Sequence, residues 1–386
     1  MATAIQPKIK EDIVKYGAGC VDDCFNCGNC TAVCPLSKDS TAFPRKMVRY
    51  VQLGLSEKLA GAPEPWLCYY CGECSATCPR EATPGETMAA LRRYSIARYD
   101  VSGIAGMMYK SPLFAALFTV VLGIVLGFFL MNERFHHFAE EGHAIPGYWN
   151  VFNDVMPYIT VHIIGMFVGG LMMVLVALSM CNAARLMLKD RGGFGWLFKH
   201  KDKWVAAATD LVKEISVMSR HDECATETAE QEPKHLTPRM AHLAIMWGFI
   251  MLGLATSIDF FFIYFLNIFP YVVSRPLGIV GGLVMLYGLV VFTMKRLNKA
   301  TPSTEQTTFA DWWLLFFLVV LDITGFILLA IVTFGIDGAF SEATILLHSV
   351  MAMELVLLFG MTKIGHAVFR PMALFFHLLG ERAEAE

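Results

Sequence analysis

The residues best placed to do chemistry in this chain are cysteines. They form two runs, CFNCGNCTAVCP over 24–35 and CYYCGECSATCP over 68–79. Both read C-x2-C-x2-C-x3-C-P, a spacing that binds [4Fe–4S] cubes. Three close thiolates cap three corners of a cube, and the glycine lets the loop curl around it. The fourth cysteine, held off by its proline, reaches across to the other cube. The expected ligand sets are Cys24, Cys27, Cys30 and Cys78 for one cluster, and Cys68, Cys71, Cys74 and Cys34 for the other. A pair of structural zinc sites is the competing reading, but zinc has no use for four thiolates packed this tightly before a proline, twice over. Cys20 reads as an unligated thiol, a substitute ligand being the alternative. Cys181, at a helix end, and Cys224, in a polar loop, read as non-functional.

Four histidines form the second chemical set: His162, His242, His348 and His366, all in or at long apolar runs. The last run, Thr344 to Val368, holds two of them, eighteen residues apart. Eighteen residues make five turns at 3.6 per turn, so one helix points both imidazoles to the same side. At 1.5 Å rise per residue they lie roughly 27 Å apart, close to a hydrocarbon thickness of about 30 Å.

The elements that must hold these residues divide the chain in two. Residues 1–105 read as a cysteine domain, broken by Pro35, Pro44, Pro63, Pro65, Pro79 and Pro84 into short helices and loops. Residues 106–386 carry six apolar stretches, about 113–131, 158–181, 240–266, 276–294, 312–334 and 344–368, each near the 20 residues a spanning helix needs. The whole chain of 386 residues is 55% hydrophobic and only 17% charged, an integral-membrane composition, and its net charge of −3 argues against a nucleic-acid partner. The first residues contain no apolar signal segment, and nine of the eleven cysteines lie between Cys20 and Cys78, a density that argues for metal rather than disulfides. The fold class is mainly α: a helical two-cluster domain followed by a six-helix transmembrane bundle.

Loop charge orients the bundle. Lys and Arg crowd the stretch 182–239, and Lys295, Arg296, Lys299 and Arg370 follow the fourth and sixth spans, whereas 132–157 is acidic and 335–342 has no basic residue. The positive-inside rule then places the cysteine domain, the long second loop and the carboxyl end in the cytoplasm, with the spans in the cytoplasmic membrane. Depth along the helices sorts the histidines into an outer pair, His162 with His348, and an inner pair, His242 with His366. Each pair suits one low-spin haem b, and ligation removes the cost of a lone histidine in lipid. A histidine hydrogen-bonded between helices is the bland alternative for any one of them. Within the second loop, 198–219 has the pattern of an amphipathic helix, lying either on the membrane surface or against the cysteine domain.

Other ionisable groups in the spans are Asp259, Asp322, Glu354 and Lys363. They are candidates for a quinone site or its proton path, with hydrogen-bonded structural roles as the alternative for Asp322 and Glu354. Arg239, Arg275 and Arg370 stand where they either pair with haem propionates or anchor helix ends. His136, His137 and His143 in the first inter-span loop read as solvated, a proton route to or from a quinone site being the alternative, and His200, His221, His235 and His377 as having no ligand role.

With these motifs in hand, the cysteine domain is ferredoxin-like and resembles the iron–sulfur protein HdrC of heterodisulfide reductases. The six-span part resembles their cytochrome b, HdrE, and, more loosely, the gamma subunit of respiratory nitrate reductase, whose final helix has the same histidine spacing as LLHSVMAMELVLLFGMTKIGH over 346–366. In that gamma subunit one helix supplies both partner histidines, ten residues apart. Here Met172 and Leu252 stand at those positions, so two helices are expected to share the task. The fusion of both parts resembles the QmoC family of quinone-interacting membrane-bound oxidoreductase complexes. The resemblance implies menaquinone as electron donor, two haems b and two [4Fe–4S] clusters as relays, and flavin-containing heterodisulfide reductase A-like partners of the QmoA and QmoB type. It implies adenylylsulfate reductase as final acceptor in sulfate respiration, with a heterodisulfide- or sulfite-type reductase complex as the alternative, and no complete reaction by this chain alone.

Overall fold

The computed structural model describes residues 5–19, 21–37, 43–132, 158–224, 233–266 and 271–384. Cys20, His136, His137 and His143 lie outside the described residues. Among those described, all regular structure is helical.

The cysteine domain comprises α1 (Ile9–Lys15), α2 (Asn29–Ala32), α3 (Arg45–Gln52), α4 (Ser56–Gly61), α5 (Glu64–Leu67), α6 (Glu73–Ala76) and the longer α7 (Pro84–Tyr99). Proline sits in the first turn of α5 and of α7. There its fixed φ suits the helix and its missing N–H would have had no partner. Ile13, Met47, Val51, Leu59, Met88 and Leu91 are buried at the centre of this domain. Such short helices are not stable alone, and the shared apolar core holds them.

After α8 (Ile104–Lys110) come six long helices: α9 (Pro112–Leu130), α10 (Tyr158–Leu188), α14 (Pro238–Leu266), α15 (Tyr271–Leu297), α17 (Phe309–Phe334) and α18 (Ala339–Leu357). Mean hydropathy in them runs from 1.4 in α18 to 2.8 in α17, and all six are long and apolar enough to cross a membrane. Large apolar side chains such as Leu117, Val121, Ile124 and Phe128 of α9 point outward, a surface suited to lipid rather than water. The chain is a multi-pass membrane protein in this sense. α14 and α15 form a close hairpin, in which a Cβ on Gly248 would sit 2.6 Å from the Gly281 carbonyl oxygen. Small residues let two backbones approach where lipid supplies no hydrophobic drive between helices.

The connections carry α11 (Phe194–Lys199), α12 (Trp204–Val217) and α13 (Arg220–Glu223) between α10 and α14, and α16 (Pro302–Glu305) between α15 and α17. A final helix, α19 (His366–Glu384), closes the chain. Of the two expectations for 198–219, the second holds: α12 packs on α19, and Trp204, Ala207 and Leu211 join the core of the cysteine domain.

One expectation is corrected. The run 344–368 is not a single helix: α18 ends at Leu357, a turn and a short 3-10 segment (Lys363–Gly365) follow, and α19 begins at His366. Thr362 is extended, with ψ −177°, and Gly365 lies so close to the preceding turn that a Cβ would meet the Gly360 oxygen at 3.0 Å. The physical reason is Lys363. In a straight helix its ammonium would enter the apolar bundle, whereas the turn lets it pair with Asp311 at the start of α17. His348 and His366 therefore stand on different helices, and the five-turn spacing does not govern them. α19 instead runs along the cysteine domain, against α5, α7 and α12.

Candidate metal centres

The two cysteine runs fold as near copies. Gly28 (φ +94°) and Gly72 (φ +93°) adopt the left-handed conformation just before α2 and α6, where a side chain would be strained. Two residues earlier, Asn26 and Tyr70 share φ +58°. This turn aims backbone N–H groups at sulfur: Asn26 N donates to Cys24 Sγ at 3.4 Å and Tyr70 N to Cys68 Sγ at 3.3 Å. Cys24, Cys27, Cys30 and Cys78 line one cavity, and Cys34, Cys68, Cys71 and Cys74 line another. Each cavity draws its fourth cysteine from the other run, and the thiol chemistry of both suits an iron–sulfur cube.

The second cavity has a neighbour that the sequence did not disclose. Cys224, placed in a polar loop by sequence, lines that cavity with its four cysteines and is buried. Cys181, in contrast, is exposed on α10.

Aromatic and cationic side chains tie the second run to α19. Trp66, two residues before Cys68, packs on Phe369, three residues after His366, with ring centres 6.1 Å apart. Tyr99 lies 5.2 Å from Phe369 and donates from its hydroxyl to the Ala60 carbonyl at 2.8 Å. All three rings are buried. The Arg370 guanidinium lies 4.1 Å over the Tyr69 ring, and Arg92 donates to the carbonyls of Pro65 and Cys68. Burial pushes the Tyr69 phenol well above its ordinary range, so it stays protonated and donates to Glu214 of α12. The first cavity faces away from this knot: Phe25 on its rim is exposed under Arg80, and Cys27 is exposed too.

Two of the four histidines meet. The rings of His242 and His366 have centres 5.9 Å apart at 66°. An iron bonded to two imidazole nitrogens at about 2 Å each puts ring centres roughly 6 Å apart. His366 Nδ1 lies 2.7 Å from the Lys363 carbonyl, which fixes the proton there and leaves Nε2 with a lone pair. His242 Nδ1 is buried with no hydrogen-bond partner. These residues fit a bis-histidine haem.

His348 and His162 have different neighbours. Thr324 of α17 spends its hydroxyl proton on the Val320 carbonyl at 2.7 Å. It also lies 3.1 Å from the Leu321 carbonyl and 2.8 Å from His348 Nδ1, and the Leu321 backbone bonds the same imidazole. His162 stacks on Phe260 of α14, ring centres 5.4 Å apart and nearly parallel at 11°.

The four candidate quinone or proton groups are not gathered in one place. Asp259 bonds Ser274 of α15 and keeps Oδ1 unpaired. Asp322 faces Gly282 of α15, and Glu354 faces Gly123 of α9, each with one buried oxygen lacking a partner. Lys363 is paired with Asp311, which Arg296 also approaches at 3.9 Å. Of the three arginines considered for propionates, Arg239 donates to the Val217 carbonyl at 2.7 Å, and only Arg370 stands beside His366. Gly248 and Gly360 serve helix packing, against Gly281 and Val176.

Comparison with known proteins defines the class first. A 4Fe-4S dicluster domain matches residues 20–82, so the amino-terminal part is an iron–sulfur domain. Residues 152–386, more than half of the chain, match the family described as citrate utilization protein B, and the chain belongs to that family. Among curated proteins, an HdrC-like (heterodisulfide reductase) protein of Archaeoglobus profundus is 33% identical over 104 residues, covering 27% of this chain and 55% of that protein. The chain thus spans about half the length of the curated relative it matches. No solved structure matches it.

Proposed function

We propose that this chain is the membrane electron-transfer component of a quinone-linked oxidoreductase, taking electrons from menaquinol and delivering them to cytosolic flavin and iron–sulfur partners. One observation carries the reading: the His242–His366 pair stands at the start of the helix that packs directly on the second cysteine run. Haems b and [4Fe–4S] clusters, when bound, each accept and release one electron at a time.

The residues divide the work as follows. His242 and His366 hold one haem and His348 and His162 the other, with Thr324 and the Lys363 carbonyl bonded to the His348 and His366 imidazoles. Cys68, Cys71, Cys74 and Cys34 hold the membrane-proximal cluster, because Trp66 and Tyr69 of that run touch Phe369 and Arg370. Cys24, Cys27, Cys30 and Cys78 hold the distal cluster, whose exposed rim at Cys27 and Phe25 is the exit toward a partner. The N–H···S bonds from Asn26 and Tyr70 stabilise added charge on sulfur. Asp259, Asp322 and Glu354 offer unpaired buried oxygens for proton uptake from quinol.

By orientation the cysteine domain and carboxyl end face the cytoplasm. The full arrangement corresponds to a QmoC-type protein, with QmoA- and QmoB-type partners and adenylylsulfate reductase as acceptor. Because the family description refers to citrate utilization, a partner in that metabolism is the second reading, alongside a heterodisulfide- or sulfite-type reductase.

The test uses the purified chain in detergent. Adding a menaquinol analogue is expected to reduce b-type haem bands and then to raise the electron paramagnetic resonance signal of reduced clusters. A preparation with full iron and no haem band, or one that menaquinol leaves oxidised, overturns the proposal.

A further inference from the structure

The second cavity contains five cysteines where a cube has four corners. The fifth, Cys224, comes from the loop between α10 and α14, so the membrane part of the chain contributes a side chain to a cluster site of the iron–sulfur domain. Its thiol lies beside that of Cys71 in this cavity, within reach of a hydrogen bond.

The contact is held in place. Glu214 on α12 accepts from Ser219 Oγ at 2.7 Å and from the Arg220 backbone N–H at 3.3 Å, which fixes the entry into α13. The same carboxylate accepts from the Tyr69 hydroxyl, next to Cys68. His221 sets its ring edge-on against Tyr69 at 5.2 Å, and Cys224 N donates to the His221 carbonyl at 3.1 Å. One buried carboxylate thus clamps the cluster loop to the segment that bears Cys224. That geometry exceeds what a thiol left over in a polar loop requires.

The direction of the hydrogen bond follows from metal chemistry. A cysteine that ligates iron does so as thiolate, so Cys71 has no proton to give. The proton lies on Cys224, and its S–H donates to Cys71 Sγ.

We propose that Cys224 is an outer-sphere residue of the membrane-proximal cluster, donating a hydrogen bond to the Cys71 thiolate and raising the reduction potential of that cluster above that of the distal one. Reduction adds negative charge that spreads onto the cysteine sulfurs, and a donor at one of them stabilises the reduced form. Among the described residues, the distal cavity has no such fifth cysteine in its lining. Among the described residues, the two sites are alike in their N–H···S turns and differ in this thiol. Cys224 acts through Cys71 and is a positioning residue, not a ligand.

The proposal rests on the cluster assignment above, and its test separates the two. Full-length protein in detergent is titrated anaerobically, with cluster signals followed by electron paramagnetic resonance and iron counted per chain. In Cys224→Ala, one of the two cluster reduction steps is expected to move to lower potential while the other step, the haem bands and the iron content stay as in the wild type. Cys224→Ser, which keeps a donor, restores most of the shift, and Cys181→Ala moves neither step. Unmoved steps in a Cys224→Ala protein of full iron content overturn the hydrogen-bond role and leave the cluster assignment standing. Should Cys224→Ala lose half its iron, Cys224→Ser decides: full iron and near-native potential support the donor role, and the same half loss overturns it in favour of ligation. A wild-type protein without iron refutes the cluster assignment itself.

Discussion

His242 and His366, from helices far apart in the chain, hold their imidazole rings 5.9 Å apart at 66°. His242 arrives on a long helix of the bundle, whereas His366 opens the helix that lies on the iron–sulfur domain. The pair therefore sits at the joint between the two halves of the chain, and four residues past His366 the Arg370 guanidinium already covers Tyr69 of the second cysteine run.

The joint depends on close backbone contact. A Cβ on Gly61, at the end of α4, would lie 2.6 Å from the Leu186 carbonyl oxygen of α10. Gly61→Ala is expected to cost about 1–3 kcal/mol by forcing α4 off α10. Its thermal unfolding midpoint in detergent should fall, whereas Gly103→Asn, at a left-handed position with open space around it, should change it little.

Thr324 and the Leu321 backbone both hydrogen-bond His348. Thr324→Val keeps the shape and removes the hydroxyl. Haem retention measured against protein should drop, by about 10–100-fold in affinity for that one site, with the His242–His366 site unaffected. Equal retention of both haems would show that Thr324 is dispensable.

Gly28→Ala and Gly72→Ala each force a side chain into a left-handed turn, at about 1–2 kcal/mol. Each should lower occupancy of the cube its own loop wraps, Gly28→Ala the distal one and Gly72→Ala the proximal one. Iron analysis together with cluster spectra distinguishes selective loss from general unfolding.

How much of this could be read from the residues follows from the range of the forces. The cysteine sets are written in local spacing, because a loop that wraps a cube needs its thiolates at fixed short intervals, and the left-handed Gly28 and Gly72 agree with that. The six long apolar helices follow from hydropathy alone. The break after Leu357 does not, because it depends on Asp311, which lies on another helix and draws Lys363 out of line. Cys224 was invisible for the same reason. Only the fold of α12 and α13 brings it to the second cavity, and no local pattern marks it.

Docking of α19 should respond to pH through His377. Burial lowers the pKa of this imidazole, Arg220 and Arg191 push the same way, and Glu381, 3.3 Å from Nε2, and Glu64 oppose. With the folded value below the unfolded value of about 6.5, the unfolded state binds more protons beneath that point. Stability is thus complete above about pH 6.5 and declines as the pH falls below it. His377→Gln should flatten this part of the unfolding-midpoint profile. Parallel profiles for variant and wild type would show that His377 plays no part in it.

The central claim is that His242 and His366 are two ligands of one haem at the joint. The direct measurement is haem content and redox-difference spectra of His242→Ala and His366→Ala beside the wild type. Both variants are predicted to lose the same single haem, with identical residual spectra, and to keep the other haem and the full iron content. Retention of both haems in either variant, or loss of a different haem in each, would contradict the pairing.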